Sequence, residues 1–181
     1  MRPAGYLYKH VVPRPEWLKA PLVHDVRSLS GCISKPFADY VDYWKHNGFW
    51  LFDSPAVIEA IAAQASIELS TLRLFYYEMY EREFDAETKA WSALEPTADF
   101  PTAAVPPRTA ELQGYDVTTF SCRTTPECSP LSCNGLAATL PVNQHCLFDT
   151  FADAQLALEC GAFDHSEPGP FRISAVYVVP R

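Results

Sequence analysis

The chain has 181 residues, 48% of them hydrophobic and 13% aromatic, which is enough apolar material for one domain with a full core and excludes disorder along the whole length. Its formal charge of −8 disfavours nucleic acid and anionic membranes as partners, because both are negatively charged. No stretch has the roughly 20 apolar residues that span a bilayer, and residues 1–10 lack the apolar segment of a secretory signal. We therefore expect an acidic, cytoplasmic protein.

The chain begins with two predicted strands. Residues 5–12 are rich in aromatic and β-branched side chains and end at Pro13, and residues 22–30 alternate between apolar and polar types. Both patterns are typical of strands. Pro15 and Pro21 favour extended or turning backbone between them.

Two helices are predicted next. Ser34-Lys-Pro36 and Asp53-Ser54-Pro55 both resemble a helix start, because serine caps the first turn and proline is tolerated there. Apolar residues at helical spacing follow over 37–44, and residues 56–65 are strong helix formers. The N-terminal part of the chain is therefore expected to carry two helices.

Residues 71–84 fit two structures. Apolar side chains recur there at helical spacing, but the density of Phe and Tyr favours a strand, which we predict over residues 72–84. A turn at 85–88 then leads to a partner strand over 89–94. Four prolines between residues 95 and 109 indicate a surface connection.

The last part of the chain predicts two strands, a helix and a final strand. Residues 114–121 and 142–148 have the composition of strands. Thr150-x-x-Asp153 resembles a capping box, which predicts that a helix begins there. Residues 171–179 are β-branched and alternate, as expected of a strand.

In chain order, these elements predict a single α+β domain over residues 1–181, with a mainly antiparallel sheet, two N-terminal helices and one C-terminal helix. The sequence shows no internal repeat to inspection. It also contains no fingerprint of a P-loop, a dinucleotide fold, a zinc protease or an α/β-hydrolase.

Four of the six cysteines fall in one stretch, residues 122–146. Clustered thiols are typical of a metal site, of thiol chemistry or of a packed loop. A tetrahedral zinc site needs four ligands, and this stretch offers Cys122, Cys128 and Cys133 together with Cys146 or, alternatively, His145. The spacings are wider than in most zinc motifs, so structural zinc is one alternative among several.

A nucleophilic cysteine is a second alternative. Such a thiol needs a base, usually a histidine, and a polar group that orients the base. Cys128 or Cys133 would be the nucleophile, His145 the base, and Asn134 or Asn143 the orienting group. The same thiols would suit a redox protein, although their spacing is wider than the CxxC of thioredoxin-like motifs.

Buried and inert thiols are the third interpretation, because free cysteine is among the most buried residue types. Since no motif requires an enzyme, the leading hypothesis is a binding protein whose working surface includes residues 122–146. Its partner would be a protein or a small ligand. No cofactor is required by the sequence, and zinc is the one that the cysteines make possible.

Overall fold

The computed structural model describes residues 1–34, 46–94, 101–120 and 126–180. The strands in these ranges are β1 (Arg2–Lys9), β2 (Val12–Pro13), β3 (Asp25–Val26), β4 (Arg73–Asp85), β5 (Ala90–Ala93), β6 (Glu111–Thr119) and β7 (Phe171–Val178). The helices are α1 (Pro55–Ala65), α2 (Pro130–Cys133) and α3 (Phe151–Glu159), together with a short 3-10 helix at Leu136–Ala138.

The main sheet is antiparallel, with the strand order β1-β4-β7-β6, and β5 pairs with the far end of β4. Strands β2 and β3 form a separate small ribbon. In β4, three consecutive aromatic residues, Phe75, Tyr76 and Tyr77, are all buried. Both faces of this strand are therefore covered, which explains why its sequence shows no clean alternation.

The prediction of two N-terminal helices is wrong, because the helices of the described residues lie in the middle and late parts of the chain. The helix predicted over 56–65 is α1, and the one predicted over 37–44 lies outside the described residues. Helix α2 was not predicted. It has only four residues, so it is too short to produce an apolar periodicity. The α+β class with a mainly antiparallel sheet is confirmed.

Two of the predicted strands are also wrong over most of their length. Of residues 22–30, only Asp25–Val26 pair in a strand, because side chains and a neighbouring loop occupy many of the other backbone groups. Of residues 142–148, only Phe148 makes an isolated bridge, to Tyr115. The remaining strand predictions correspond to β1, β4, β5, β6 and β7.

The fold contains two similar halves, so the expectation of no internal repeat is wrong. In each half, a Gly-Tyr step in an edge strand contacts a later Asn-x-x-x-Leu-Phe-Asp turn, residues 47–53 in the first half and 143–149 in the second. Tyr6 and Phe52 exchange two backbone hydrogen bonds of 2.8 and 3.1 Å. Tyr115 and Phe148 exchange two of 2.8 and 3.0 Å.

The asparagine that begins each turn makes the same set of hydrogen bonds. Its amide nitrogen donates to the carbonyl before the glycine of the edge strand, and its amide oxygen accepts from two N–H groups of its own turn. The partners are Ala4, Phe49 and Leu51 for Asn47, and Gln113, His145 and Leu147 for Asn143. The fourth residue of each turn has a positive φ, 59° at Trp50 and 61° at Cys146.

The edge-strand glycines are required by this close approach. A Cβ atom on Gly5 would lie 2.7 Å from the Phe52 carbonyl oxygen, and one on Gly114 would lie 2.5 Å from that of Phe148. Both glycines also have a positive φ, 143° and 138°, which other residues rarely adopt.

After its turn, each half continues with a helix (α1 or α3) and a returning strand (β4 or β7) that pairs with its own edge strand. Tyr6 pairs with Tyr76, and the equivalent Tyr115 pairs with Ala175. Tyr76 of β4 is therefore equivalent to Ala175 of β7, and Glu78 is equivalent to Tyr177. The pairing between β4 and β7 has the same symmetry, since Tyr76 pairs with Tyr177 and Glu78 pairs with Ala175. The two halves are thus arranged about an approximate two-fold axis near the pair Tyr77–Val176.

Candidate thiol site

The candidate site lies where the connections between edge strand and asparagine turn meet. Cys32 comes from the connection of the first half, and Cys128 and Cys133 come from that of the second. Their three Sγ atoms all lie within 4.8 Å of one another, and we call this group the thiol triad. Cys32 is exposed, Cys133 half-buried and Cys128 buried, so the thiol triad extends from the surface inward.

Cys128 and Cys133 are positioned by one compact piece of backbone. Thr119, the last residue of β6, donates its N–H to the Cys128 carbonyl oxygen at 2.8 Å, and the Thr119 Oγ1 accepts from the Cys128 N–H at 3.2 Å. Ser129 then precedes the single turn of α2, in which the Cys133 N–H donates to the Ser129 carbonyl oxygen at 2.8 Å. The two thiols therefore flank one helical turn.

Cys32 reaches this turn because the first connection packs against the second half. The backbone N–H groups of His24 and Arg27 donate to the Gln144 and His145 carbonyl oxygens. The residues that follow are fixed by Lys9, whose buried ammonium donates to three consecutive carbonyl oxygens, those of Ser28, Leu29 and Ser30. The Cys32 thiol itself donates to the Glu127 carbonyl oxygen at 2.9 Å.

The three thiols of the triad differ in pKa. Hydrogen bonds from Cys128 and then Cys32 lower the pKa of Cys133 to about 6, although burial opposes this. The pKa of Cys128 is raised, first by its hydrogen bond to Cys133 and then by burial. Burial is the main cause that raises the pKa of Cys32 to about 11. The arrangement favours a Cys133 thiolate, the form of cysteine that binds metals and attacks electrophiles.

Hydroxyl groups surround the Cys133 sulfur as well. The Ser30 Oγ and Ser132 Oγ atoms lie 4.0 and 3.9 Å from Cys133 Sγ. Both serines are buried, at 1% and 0% exposure. Weak hydrogen bonds of this kind stabilise a thiolate and restrict the orientation of its side chain.

Three of the predicted site residues come together. Cys128 and Cys133 belong to the thiol triad, and the Cys128 thiol donates to Asn134 Oδ1 at 3.5 Å. Asn134 in turn donates to Glu167 Oε1 at 3.0 Å, which fixes its side chain. Cys122, predicted as a metal ligand, lies outside the described residues.

His145 has different partners. Its Nδ1 lies 2.8 Å from Asp25 Oδ1, its Nε2 lies 3.2 Å from the Gln144 amide, and Asp25 also pairs with Arg27. No thiol of the described residues is among the hydrogen-bond partners of this ring. The structure thus places the predicted base in a separate hydrogen-bonded group with Asp25 and Gln144.

Cys146 is separated from the thiol triad by its environment. It is 1% exposed and packs within an apolar cluster that includes Leu131 and Phe148. Burial is the main cause that raises the pKa of Cys146 to about 12. It also occupies the positive-φ position of the asparagine turn, where the first half has Trp50. Its place in the fold is therefore that of a packing residue.

Sequence reasoning missed Cys32, Lys9 and also Asp116, whose buried carboxylate accepts hydrogen bonds from the Ser28 and Ser129 hydroxyls. Cys32 lies far from the other thiols in sequence, but like them it has small and polar neighbours. Ser28-Leu-Ser-Gly31 precedes Cys32, Ser-Pro follows Cys128, and Asn-Gly follows Cys133. A cysteine in a turn of small and polar residues was the shared local signal. Nothing local marks Lys9 or Asp116, because both lie in strands of ordinary composition.

A comparison with protein-family models gives no match for this chain, and comparisons with curated proteins and with solved structures give none either. None of the helices in the described ranges combines the length and the apolar character that crossing a bilayer requires. The geometry of the thiol triad is therefore the basis for a functional argument.

Proposed function

We propose that the thiol triad binds a thiophilic divalent metal ion, with zinc as the preferred ion. The proposal is carried by the separation of the three Sγ atoms, which is at most 4.8 Å. A zinc–thiolate bond of about 2.3 Å in a tetrahedron places the sulfur atoms about 3.8 Å apart. Closing the thiol triad around zinc therefore needs movements of at most about 1 Å, within the reach of side-chain rotation.

The chemistry around the thiol triad supports the same proposal. Three thiolates select soft or borderline ions such as zinc over magnesium or calcium, which prefer oxygen ligands. Exposed Cys32 gives an ion a route to the site. Three protein ligands leave the fourth tetrahedral position for water, a ligand molecule or another side chain. Cys122 stays a prediction for that position.

The proposal is tested by elemental analysis of the purified chain after exposure to zinc and removal of loose metal. We expect one zinc per wild-type chain, and a loss of affinity of more than about 100-fold in Cys133→Ser and Cys32→Ser, since losing a ligand costs more than losing an outer partner. Cys160→Ser is the matched control, because Cys160 is an exposed thiol outside the thiol triad. Zinc-free wild type, or equal zinc in all variants, would refute the proposal.

Reversible thiol chemistry is the second candidate, favoured by the lowered pKa of Cys133. In that case the Cys133 thiolate attacks one oxygen of a peroxide, the O–O bond breaks, the other oxygen leaves as water or an alcohol, and a sulfenic acid remains. The Cys32 thiol then displaces the sulfenic oxygen as water, and a disulfide forms. After peroxide treatment of metal-free protein, the count of free thiols should fall by two in wild type and should not fall in this way in Cys133→Ser. An unchanged count in wild type would exclude this candidate.

A further inference from the structure

A single buried carboxylate connects the two segments that carry the thiol triad. Asp116 lies in β6 and is 0% exposed. On one side it accepts hydrogen bonds of 2.8 Å from both the Ser28 hydroxyl and the Leu29 N–H, just before Cys32. On the other side it accepts a hydrogen bond of 2.6 Å from the Ser129 hydroxyl, just before the helical turn of Cys133.

We infer that Asp116 is a positioning residue that holds the three thiols together in the folded chain before a metal ion arrives. This inference rests on the proposed function of the thiol triad as a metal site. It also extends that proposal, because a site held together by the chain itself can release and rebind its ion without unfolding. Such a site suits an exchangeable metal rather than one that is required for folding.

Lys9 makes the same connection stronger. Its ammonium is 1% exposed and is fixed by the carbonyl oxygens of residues 28–30, the segment whose N–H and hydroxyl groups bind Asp116. The carbonyl oxygens of residues 28–30 therefore bind the Lys9 cation, and the Ser28 hydroxyl and Leu29 N–H of the same segment bind the Asp116 carboxylate. Since β1 and β6 are opposite edge strands of the sheet, this segment also joins the two halves of the molecule.

Lys9 and Asp116 are both buried, so water does not compete for their hydrogen bonds to residues 28–30. Burial raises the pKa of Asp116, and its three hydrogen bonds and the Lys9 charge act against that rise. Burial lowers the pKa of Lys9 to about 7, and Asp116 acts against this fall. Removing the Asp116 carboxylate would leave the Ser28 and Ser129 hydroxyls and the Leu29 N–H buried without this acceptor, and buried unpaired donors are destabilising. The segment therefore has little freedom to move away from the helical turn.

The decisive variants separate positioning from general stability. Ser129→Ala removes only the hydrogen bond on the Cys133 side, and Asp116→Asn disturbs both sides. Ser174→Ala is the matched control, because Ser174 is directly opposite Asp116 in the β6–β7 ladder, is 0% exposed, and its hydroxyl has no hydrogen-bond partner among the described residues. None of the three substitutions removes a thiol.

Two measurements are made on each variant. Zinc affinity is obtained by competition with a coloured chelator, and the cobalt-substituted protein is examined for thiolate-to-metal absorption, which depends on how many thiols bind the ion. We expect zinc affinity to fall about 10-fold in Ser129→Ala and about 100-fold in Asp116→Asn, the range for loss of an outer-shell partner. Both should have weaker cobalt absorption, and Ser174→Ala should match wild type.

Two metal-independent measurements complete the test. Wild type stripped by a chelator should keep its circular dichroism and its cooperative thermal unfolding. The stripped chain should also capture one phenylarsine oxide, which bridges neighbouring thiols, and Asp116→Asn and Ser129→Ala should capture less. Unfolding on removal of the metal, or wild-type affinity and capture in both variants, would overturn the inference. If wild type binds no zinc, the proposed function fails, while arsenical capture still decides whether Asp116 positions the thiols.

Discussion

The two halves of this protein share a framework and differ in what their connections carry. Each half has an edge strand with a Gly-Tyr step, an asparagine turn, a helix and a returning strand. The first connection contributes one thiol to the site, and the second contributes two. The parts that repeat are held by backbone hydrogen bonds and by the asparagine side chains, whereas the parts that differ bring the three thiols together. Function is therefore expected where the two halves depart from one another.

The fourth position of the asparagine turn illustrates this difference. Trp50 and Cys146 occupy it with nearly the same φ, although one side chain is a large aromatic and the other a small thiol. Since this position accepts a tryptophan as well as a cysteine, its role in the turn does not depend on a sulfur atom. Cys146 therefore differs from the thiol triad by its structural position, although it is closer to Cys133 in sequence than Cys32 is.

The largest expected effect comes from the glycines of the two edge strands. Gly5→Ala and Gly114→Ala should each lower the free energy of unfolding by at least about 3 kcal/mol, because the new Cβ meets a backbone oxygen at under 3.0 Å and φ is unfavourable. Gly135→Ala is the control, with a φ of 73° but nothing within 4 Å of the new Cβ, and should cost about 1 kcal/mol. Urea unfolding measures all three, and equal costs at all positions would contradict the close approach.

The asparagines should come next. Asn47→Ala and Asn143→Ala each leave two N–H groups and one carbonyl without their partner, at an expected cost of about 2–4 kcal/mol. The first substitution should cost more, since Asn47 also donates to Asp53 at 3.0 Å. Thermal unfolding of both variants gives the comparison. If only one asparagine matters, the two turns are not equivalent.

The smallest effect is a difference in thiol reactivity between the two cysteine environments. In metal-free protein at pH 7, Cys133 should be alkylated fast and Cys146 only after unfolding, because the pKa values are about 6 and about 12 and Cys146 is buried. A lowered pKa means that thiolate is lost as the pH falls, so the rate at Cys133 should drop about tenfold between pH 7 and pH 5. Mass mapping of the alkylated peptides checks this, with Cys133→Ser as control. Fast labelling of Cys146 in the folded chain would remove the distinction.

The sequence by itself determined the elements whose information is local. Alternation and β-branched composition predict β1, β6 and β7, and the Thr150–Asp153 capping box predicts α3, where the Asp153 N–H does donate to Thr150 Oγ1. These predictions succeed because strand pleat and helix capping depend on residues a few positions apart. The cysteine-rich stretch also indicated where a functional surface should be sought, and Cys128 and Cys133 do meet there.

The tertiary structure alone decided which thiols meet. Cys32 joins Cys128 and Cys133 because the first connection crosses to the second half, where it binds Asp116, while Lys9 of the first half binds its carbonyl oxygens. The repeat was hidden for a related reason, since the halves share little more than a Gly-Tyr pair, an asparagine and a Leu-Phe-Asp sequence. Long-range hydrogen bonds and burial assemble these parts, and neither leaves a periodic signal in the sequence.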